Sequence, residues 1–307
     1  MGYLGPTPVR YNVVMREVKG KTAFITGGAS GIGFGMAQAF ADAGMNVAVA
    51  DIEERALADA AEKLASAGAN VLTTVLDVTD RDGFARAADA VEARFGNVHV
   101  ICNNAGVSSR GPIERASYDD WDWVMGVNLD AVFNGIHTFI PRIKAHGEGG
   151  HIVNTSSIAG HVIGAGNGIY TTTKFAVVAL SETLRLELAN DNIGVTVVCP
   201  GAVKTRFNDS DRNRQPAYSN IGNSMTAEQK ALIVKSFDHG TEPRDLGEMI
   251  LDAIRQNRLY VLPHAEFKPV VQARYEAIMA AFSHDPPDPE RAADNEYRVR
   301  GFAKFWE

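Results

Sequence analysis

Residues 21–33 read KTAFITGGASGIG, an apolar strand (Lys21–Thr26) that runs directly into a cluster of glycines. A helical pattern follows at Ile32–Ala43, and a second apolar strand at Asn46–Asp51. Glycines in such a turn let the backbone approach a pyrophosphate closely, and the next helix points its positive N-terminus at the negative charge. The strand before the turn and the helix after it predict a dinucleotide-binding βαβ unit. The residues predicted to bind the cofactor here are Gly27, Ser30, Gly31, Ile32 and Gly33.

Strands and helices continue to alternate after this unit. Further strands are predicted at Val71–Leu76, Val98–Asn103, His151–Ser156 and Gly194–Cys199, and helices at Glu54–Ala67, Arg81–Phe95, Tyr118–Lys144 and Ile169–Asn190. This alternation is typical of a parallel sheet covered on both faces, and near-continuous apolar strands fit burial on both sides. The predicted fold class is α/β: a single-domain, Rossmann-type, doubly wound parallel sheet with helices on both faces and a C-terminal helical extension.

The domain boundaries follow from changes in this pattern. Residues 1–20 form an N-terminal lead, 21–263 the Rossmann-type domain, and 264–307 a C-terminal helix and tail. Within the domain, the polar stretch Ala202–Asn223 has no clear pattern, so 202–240 is predicted to be a substrate loop or lid, or else disordered.

Aromatic side chains in the charged tail predict packing on a neighbouring subunit, packing over the active site, or disorder. These are Phe302, Phe305 and Trp306.

Composition limits the classes of partner. The chain has 307 residues, of which 45% are hydrophobic and 22% charged, as in soluble globular proteins. A net charge of −7 offers no basic surface for nucleic acid or an anionic membrane. With no secretion signal and no apolar run near the roughly 20 residues of a membrane span, a cytoplasmic protein is expected. Cys102 and Cys199 are predicted to be small buried residues rather than a disulfide.

Asp51 predicts which nicotinamide cofactor is used. It ends the second strand, eighteen residues beyond Gly33. A carboxylate there accepts hydrogen bonds from the adenosine ribose hydroxyls and repels a 2′-phosphate. Residues 28–30 contain no Arg or Lys to receive that phosphate, and Arg55 is predicted to lie on a helix surface. NAD is therefore predicted over NADP, while Asp51 also stands near the expected N-cap of the next helix.

Two further strand ends carry polar or small residues. Asp77 and Val78 follow the third strand, and Asn104, Ala105 and Gly106 follow the fourth. Ligands in open α/β sheets bind beyond the carboxyl ends of the strands, so these residues are predicted to line the same crevice. Ordinary turn chemistry is the alternative explanation for Asn and Gly at these positions.

Tyr170 and Lys174 lie four residues apart in a predicted helix, so their side chains leave the same face. An ammonium beside a phenol favours the phenolate, and the pKa of Tyr170 is predicted to fall below its usual value near 10. Such a tyrosine exchanges a proton with an alcohol or ketone near neutral pH. A solvated helix face is the alternative, because this spacing also occurs by chance.

Together these residues resemble the short-chain dehydrogenase/reductase family from Lys21 to Leu262. The resemblance rests on Thr26–Gly33, Asp77, residues 103–106, Asn128, Ser157, Tyr170, Lys174, Pro200-Gly201 and Thr205. It implies an NAD-dependent oxidoreductase that interconverts a secondary alcohol and its ketone, without a metal. The catalytic residues that it implies are Asn128, Ser157, Tyr170 and Lys174. It also implies that Lys174 binds the nicotinamide ribose, that Pro200, Gly201, Val203 and Thr205 lie at the nicotinamide, and that the protein is a homo-oligomer, a tetramer or dimer.

A narrower resemblance covers several short stretches. Among them are 111–114, 118–123, 191–195 and 259–261. They are similar to the bacterial NAD-dependent Cα-dehydrogenases, which oxidise the benzylic alcohol of lignin-derived β-aryl ethers. A steroid, terpene or other alicyclic alcohol stays open as the substrate, and so does a non-catalytic NAD-binding regulator.

The substrate is predicted to lie against residues 107–110, 161–167 and 202–223, which follow strands four, five and six. Residues 161–166 are mostly small and apolar, which favours a bulky, largely apolar substrate. Arg206, Arg212 and Arg214 are predicted to be solvated rather than to grip a carboxylate, and His161 to be a surface residue, with contact to the substrate as the alternative. His151 and His264 are expected to be structural.

Overall fold

The computed structural model describes residues 15–223, 225–235 and 237–303, without the side chains of 227, 230, 297, 302 and 303. Most of the predicted N-terminal lead lies outside this part. So do Phe305, Trp306 and the side chain of Phe302, so the predictions made for them are not addressed by the structure.

A parallel sheet of seven strands runs through the described part of the chain, in the order β3-β2-β1-β4-β5-β6-β7. All its pairings are parallel. The strands are β1 (Thr22–Thr26), β2 (Asn46–Asp51), β3 (Val71–Val75), β4 (Val100–Asn103), β5 (Gly150–Thr155), β6 (Ile193–Val198) and β7 (Tyr260–Val261). The order reverses direction between β1 and β4, which is where such sheets open a crevice for ligands.

Helices cover both faces of the sheet, as predicted. They are α1 (Gly31–Asp42), α2 (Glu54–Ser66), α3 (Arg81–Phe95), α4 (Tyr118–Met125), α5 (Ala131–His146), α6 (Gly168–Glu187), α7 (Ala227–Lys235), α8 (Pro243–Gln256), α9 (Lys268–Ala280) and α10 (Pro289–Ala303). On one face Phe24 of β1 packs with Phe84 and Phe139 of α3 and α5. On the other, Phe40 of α1 packs with Leu246 and Ile250 of α8. The predicted doubly wound fold with a helical C-terminal extension is confirmed.

The predicted long helix over Tyr118–Lys144 is interrupted. α4 passes into a π-helical turn at Gly126–Asp130 before α5 begins. π-Turns of this kind are rare and occur mostly at functional sites. Asn128 lies within this turn and is buried, so the irregularity concerns a residue that the sequence already singled out.

The polar segment 202–223 is ordered rather than structureless. Two 3₁₀ turns, Phe207–Asn213 and Pro216–Tyr218, shape it, and its side chains bind the body of the domain at several points. Ser210 accepts a hydrogen bond from Ser108 N at 3.0 Å, and Gln215 donates to Asp77 Oδ2 at 2.9 Å. We call residues 202–223 the lid, because it lies over the carboxyl ends of the strands.

Neither of the two cysteines is in a disulfide; both are buried in the sheet region, as predicted. Across residues 15–223, 225–235 and 237–303, none of the helices combines the length and apolar character needed to cross a membrane.

Candidate active site

A cleft of about 490 Å³ lies beyond the carboxyl ends of β1 to β6, between the sheet and the lid. This volume is within the usual range for small-molecule sites. Most of the residues predicted for the site line the cleft: Gly27, Ser30, Gly31, Ile32, Asp51, Asp77, Val78, Asn104, Ala105, Gly106, Ser157, Tyr170, Lys174, Pro200, Gly201, Val203 and Thr205. The structure therefore brings together residues that are far apart in sequence, while Gly33 and Asn128 lie behind the cleft wall.

The glycine turn between β1 and α1 is shaped by close backbone contacts. Gly27 and Gly31 have positive φ angles of 61° and 52°, which glycine adopts without strain. A side chain on Gly31 would meet Thr205 Cγ2 at 2.9 Å, so the lid approaches the turn only because this residue is glycine. Gly33 faces the carbonyl of Gly27 and supports the turn from behind. The open N-terminus of α1 faces the cleft, where an anion would be stabilised.

Asp51 lies at the far end of the cleft, and both its oxygens accept backbone hydrogen bonds. Oδ2 accepts from Ala29 N and Oδ1 from Glu53 N, each at 3.1 Å. Burial raises the pKa of Asp51 above its ordinary value, although these hydrogen bonds oppose the shift. The N-cap position of α2 is occupied by Glu53 rather than Asp51. Each oxygen of Asp51 keeps a lone pair with which to accept a further hydrogen bond from a ligand.

Asn104 fixes the β4 end of the cleft to the glycine turn. Its backbone N–H and that of Ala105 donate to Thr26 Oγ1 at 2.9 and 3.1 Å, and its amide donates to Thr26 O at 3.0 Å. Asp77, at the end of β3, accepts hydrogen bonds from Thr79 and from Gln215 of the lid. The first set of hydrogen bonds connects the carboxyl ends of β1 and β4, and the second connects the end of β3 to the lid.

Tyr170, Lys174 and Ser157 meet at the other end of the cleft. Tyr170 and Lys174 lie on α6, and all three side chains are buried. Lys174 Nζ lies 5.4 Å from the Tyr170 ring centroid and donates to Thr155 O at 2.9 Å. Ser157 Oγ accepts from Ala159 N at 3.1 Å, and it lies beside the Tyr170 phenol. Phe207 of the lid packs against the Tyr170 ring, with centroids 5.6 Å apart.

The predicted lowering of the Tyr170 pKa is wrong for this arrangement. Burial raises the pKa of Tyr170 to about 12, and the hydrogen bond with Ser157 and the charge of Arg110 only partly oppose it. Burial also lowers the pKa of Lys174 to about 8. The reason is desolvation: both ions lose hydration in this dry site, which shifts each group toward its neutral form relative to its behaviour in water.

Asn128 supports the site from the π-helical turn. Its Oδ1 accepts from Val107 N at 2.8 Å and its Nδ2 donates to Val107 O at 2.9 Å, so the amide clamps the segment after β4. Its Nδ2 also lies 3.3 Å from Thr173 Oγ1 on α6. Asn128 thus connects the segment after β4 to the helix that carries Tyr170 and Lys174.

The segment after β6 is positioned by His264. Its Nδ1 accepts from Gly201 N at 2.9 Å, and its Nε2 lies 3.0 Å from Ala202 O. These contacts place Pro200, Gly201, Val203 and Thr205 along the cleft. His151 Nε2 lies 2.7 Å from Thr196 Oγ1. Both His264 and His151 therefore have structural roles, as expected. His161, predicted to be a surface residue, is buried, because the 3₁₀ turn Ile158–Gly160 folds it back onto the sheet beside Tyr260.

The lid arginines differ from their prediction as solvated residues. Arg212 binds Glu53 at 2.6 Å, beside Asp51, and Arg214 binds the buried Asp120 at 2.7 Å. Only Arg206 stays exposed, paired loosely with Asp209. The prediction failed for the first two because their carboxylate partners lie far away in sequence, where no local pattern reveals them.

The sequence placed Arg110 only in a substrate-side segment. In the structure it lies in the cleft, within electrostatic range of Tyr170.

A second polar cluster lies at the opposite edge of the sheet. His99, His146 and Glu148 each bring a potential ligand atom within 4.8 Å of the others. Hydrogen bonds already engage these side chains: His99 Nδ1 accepts from Thr22 N and its Nε2 lies 2.9 Å from Glu148 Oε2, His146 Nε2 lies 3.0 Å from Val98 O, and Glu148 binds Lys21 at 2.6 Å. This cluster is explained as a hydrogen-bond network that ties the amino ends of the strands together.

Comparisons with known proteins agree with this geometry. A family model described as short chain dehydrogenase matches residues 21–216. The C alpha-dehydrogenase of Sphingobium sp. strain SYK-6 is 40% identical over 279 residues, which cover 91% of this chain and 92% of that protein. The 3beta-hydroxysteroid dehydrogenase 2 of Eggerthella lenta is 37% identical over 218 residues, 71% of this chain and 82% of that protein.

Among solved structures, a short chain dehydrogenase/reductase from Burkholderia phymatum in complex with NAD is similar. It gives a TM-score of 0.84 and 35% identity, covering 89% of this chain and 99% of that one. Both resemblances drawn from the sequence, the broad one and the narrower one, are confirmed.

Proposed function

Because the chain belongs to the short-chain dehydrogenase family, we propose that it is an NAD-dependent oxidoreductase that interconverts a bulky, largely apolar secondary alcohol and its ketone. The observation that carries this proposal is the meeting of Tyr170, Ser157 and Lys174 at one end of a cleft whose other end is the glycine turn and Asp51. A proton-transfer group and a dinucleotide cradle in one cleft are the two parts that this reaction needs.

The residues along the cleft support the binding of a dinucleotide. Gly27 and Gly31 leave room where side chains would fill the turn, and the N-terminus of α1 faces that space. We propose that the turn holds the pyrophosphate, together with Ser30 and Ile32, and that Asp51 holds the adenosine ribose. Asp77 and Val78 would lie along the adenine, Asn104 to Gly106 along the middle of the cofactor, and Pro200, Gly201, Val203 and Thr205 along the nicotinamide.

NAD is proposed over NADP because of the acidic charge at the Asp51 end. Asp51 and Glu53 both line this part of the cleft, and the two lid arginines whose charges reach Glu53 are already paired: Arg212 with Glu53 itself and Arg206 with Asp209. A 2′-phosphate would therefore meet two carboxylates before it found a free cation. The NAD complex of the similar Burkholderia protein supports the same preference.

When bound, NAD supplies the hydride acceptor for the substrate carbon. In alcohol oxidation, Tyr170 Oη receives the hydroxyl proton, and Ser157 Oγ donates a hydrogen bond to the substrate oxygen. Lys174 Nζ lies beside the Tyr170 ring and would bind the nicotinamide ribose as well. In ketone reduction the Tyr170 phenol returns the proton to the substrate oxygen. Asn128 acts as a positioning residue that holds the helix and the segment after β4 around this pair.

The pKa of Tyr170 must fall from about 12 for this step to proceed near neutral pH. Added positive charge beside the phenol is what lowers it, because a cation stabilises the phenolate in a dry site. Lys174 and Arg110 are cations of this chain in that region, and an oxidised nicotinamide adds a third.

A benzylic alcohol is the proposed substrate type. The substrate end of the cleft is lined by apolar groups that suit an aryl ring: Val107, Ile158, Phe207, Phe237 and Phe267. The likeness to a C alpha-dehydrogenase favours the benzylic class, and that to a 3beta-hydroxysteroid dehydrogenase keeps alicyclic alcohols as the second candidate.

A homo-oligomer, dimer or tetramer, is also proposed, since Trp121 and Phe133 on the α4–α5 surface remain exposed.

The test is NAD reduction by the purified protein on two panels, with NADP in parallel. One panel holds benzylic secondary alcohols, including β-aryl ethers, and the other holds alicyclic alcohols, including steroids. Turnover of the benzylic panel with NAD is the expected result, and turnover confined to the alicyclic panel would select the second candidate. If NAD binds but no alcohol or ketone reacts, the protein is instead a non-catalytic NAD-binding regulator.

A further inference from the structure

Arg110 is a cation at the reacting end of the cleft. It lies in the segment after β4, lines the cleft, and is close enough for its charge to act on Tyr170. Partial burial lowers the pKa of its guanidinium, which shows that the group has lost part of its hydration. A guanidinium removed from water is costly unless an anion compensates it.

The backbone that carries Arg110 is held firmly. Gly111 N donates to Gly166 O at 2.9 Å, and Gly111 pairs with Asn167 as a parallel bridge. Gly111 also lies against the Asn223 side chain, and Ser108 N binds Ser210 of the lid. Arg110 is therefore presented by a segment fixed on three sides, as expected for a side chain that positions a ligand.

Within the described residues, Arg110 has no carboxylate partner. Its one hydrogen bond is a long contact of 3.5 Å from Nη2 to Asn208 Oδ1. The other two arginines of the cleft differ, because Arg212 binds Glu53 and Arg206 binds Asp209. Most of the forked donor set of Arg110 is thus available to a ligand, and guanidinium forks fit carboxylates best.

A second polar group opens into the same part of the cleft. Asn167 lines it, at the start of α6 and three residues before Tyr170, and its buried Oδ1 has no hydrogen-bond partner. Its side chain does not cap the helix. The acidic side chains that line the cleft, Asp51, Glu53 and Asp77, are at the glycine-turn and β2–β3 end, each already hydrogen bonded. The cleft is therefore acidic at one end and carries an unpaired cation at the other.

We propose that the substrate, on an otherwise apolar body, carries a carboxylate that Arg110 binds with a forked pair of hydrogen bonds, beside the carbon that reacts at Tyr170. This inference rests on the proposed function and adds the class of substrate: an aryl or alicyclic hydroxy acid and its keto acid. Arg110 acts in this way as a specificity-determining residue.

The test is equilibrium binding of matched ketone pairs by isothermal titration calorimetry in saturating NAD, with which a ketone cannot react. One pair is 4-acetylbenzoate and 4-acetylbenzamide; the other is benzoylformate and its primary amide, which place the charge farther from and nearer to the carbonyl. The measured quantity is the ratio of carboxylate to amide affinity in the wild type and in the variants Arg110→Gln and Arg110→Lys. Arg115→Gln is the matched control, because Arg115 is exposed, in the same segment, and outside the cleft.

In the wild type, at least one carboxylate should bind about 10- to 100-fold more tightly than its amide, the size expected for a charged hydrogen-bonded pair. Arg110→Gln should abolish this ratio, Arg110→Lys should keep part of it, and Arg115→Gln should leave it intact. A ratio near one in the wild type, a ratio that survives Arg110→Gln, or no binding of any probe would overturn the inference. Equal losses for acid and amide would also overturn it, and would assign Arg110 to the ionisation of Tyr170.

Turnover separates this inference from the proposed function. Oxidation of 4-(1-hydroxyethyl)benzamide with NAD, without any preference for the acid, keeps the oxidoreductase and discards the carboxylate site. Binding of acids through Arg110, without oxidation of either alcohol series, keeps the anion site and discards the oxidoreductase.

Discussion

One buried ion pair is among the contacts that hold the lid on the domain, and its loss should be measurable in stability or in cofactor binding. Asp120 of α4 is fully buried, with Oδ1 bound to Arg214 at 2.7 Å and Oδ2 accepting from the backbone of Ser117, Gly222 and Asn223, each at 3.0 Å. Burial acts to raise the pKa of Asp120, but these hydrogen bonds outweigh it and hold the pKa below its usual value.

Asp120→Asn keeps the shape of the side chain, removes its charge, and turns one acceptor into a donor that faces other donors. Removing one partner of a buried pair costs about 3–5 kcal/mol, because the other charge stays buried and uncompensated. Against a total stability of about 5–15 kcal/mol, this loss would be large if the lid stayed docked. The lid can also undock locally, and then the loss in global stability is limited to the free energy of opening.

Urea unfolding followed by circular dichroism, together with an NADH titration by fluorescence, measures both outcomes. We expect Asp120→Asn to lose about 3 kcal/mol or more of unfolding free energy, or else to keep its stability and bind NADH at least about tenfold more weakly. The double variant Asp120→Asn/Arg214→Met should recover part of the loss, since it leaves no unpaired charge. Asp42→Asn, which breaks the exposed pair with Arg244, is the control and should cost below about 1 kcal/mol. Unchanged stability together with unchanged NADH affinity in Asp120→Asn would refute the reasoning.

Three further predictions concern the cleft and the sheet. Tyr170→Phe removes the transferred proton and should lower kcat by about 10²–10⁴ while NADH still binds; turnover near the wild-type rate would eliminate Tyr170 as the acid–base group. Asp51→Ala should raise the ratio of NADP to NAD use, measured as kcat/KM for each cofactor, because it removes both the ribose acceptor and a charge that repels phosphate; an unchanged ratio would mean that the ribose lies elsewhere. Burial lowers the pKa of His151 to about 3, so the unfolded chain binds a proton below about pH 6.5 that the folded protein refuses until about pH 3. The free energy of unfolding should therefore decrease as the pH is lowered across this window, by about 1.4 kcal/mol per pH unit from this group. In urea unfolding, His151→Gln should show a shallower decrease than the wild type. Equal slopes for the two proteins would contradict the assignment.

Local sequence signals predicted the regular elements well. β2 at Asn46–Asp51 and α3 at Arg81–Phe95 have the boundaries expected from the pattern, because each lies between clear turn residues. The glycine turn and the spacing of Tyr170 and Lys174 are also local, and they brought the site residues into one cleft. The features that depend on the family and on short motifs could therefore be predicted from the sequence alone.

Interactions between distant parts of the chain could not be predicted in this way. Arg212 finds Glu53, and Arg214 finds Asp120, only after the sheet has brought residues from opposite halves of the chain together. The raised pKa of Tyr170 likewise depends on how many neighbours exclude water, which spacing along one helix does not reveal. The sequence left the segment 202–223 as either a lid or disordered, because its polar composition hides partners that lie elsewhere.

The π-helical turn at Gly126–Asp130 means that the segment between α4 and α5 contains one residue more than a regular helix needs. Each residue of a regular α-helix turns the chain by about 100°, so this extra residue sets the direction of every side chain on one side of it relative to the other. Deleting a single residue there would restore a regular helix, but it would turn either Asn128 away from Val107 or the buried face of α5 away from the sheet. The length of this stretch is therefore as constrained as its composition, and a protein of this fold that lacks the extra residue would have to hold the helix equivalent to α6 by other means.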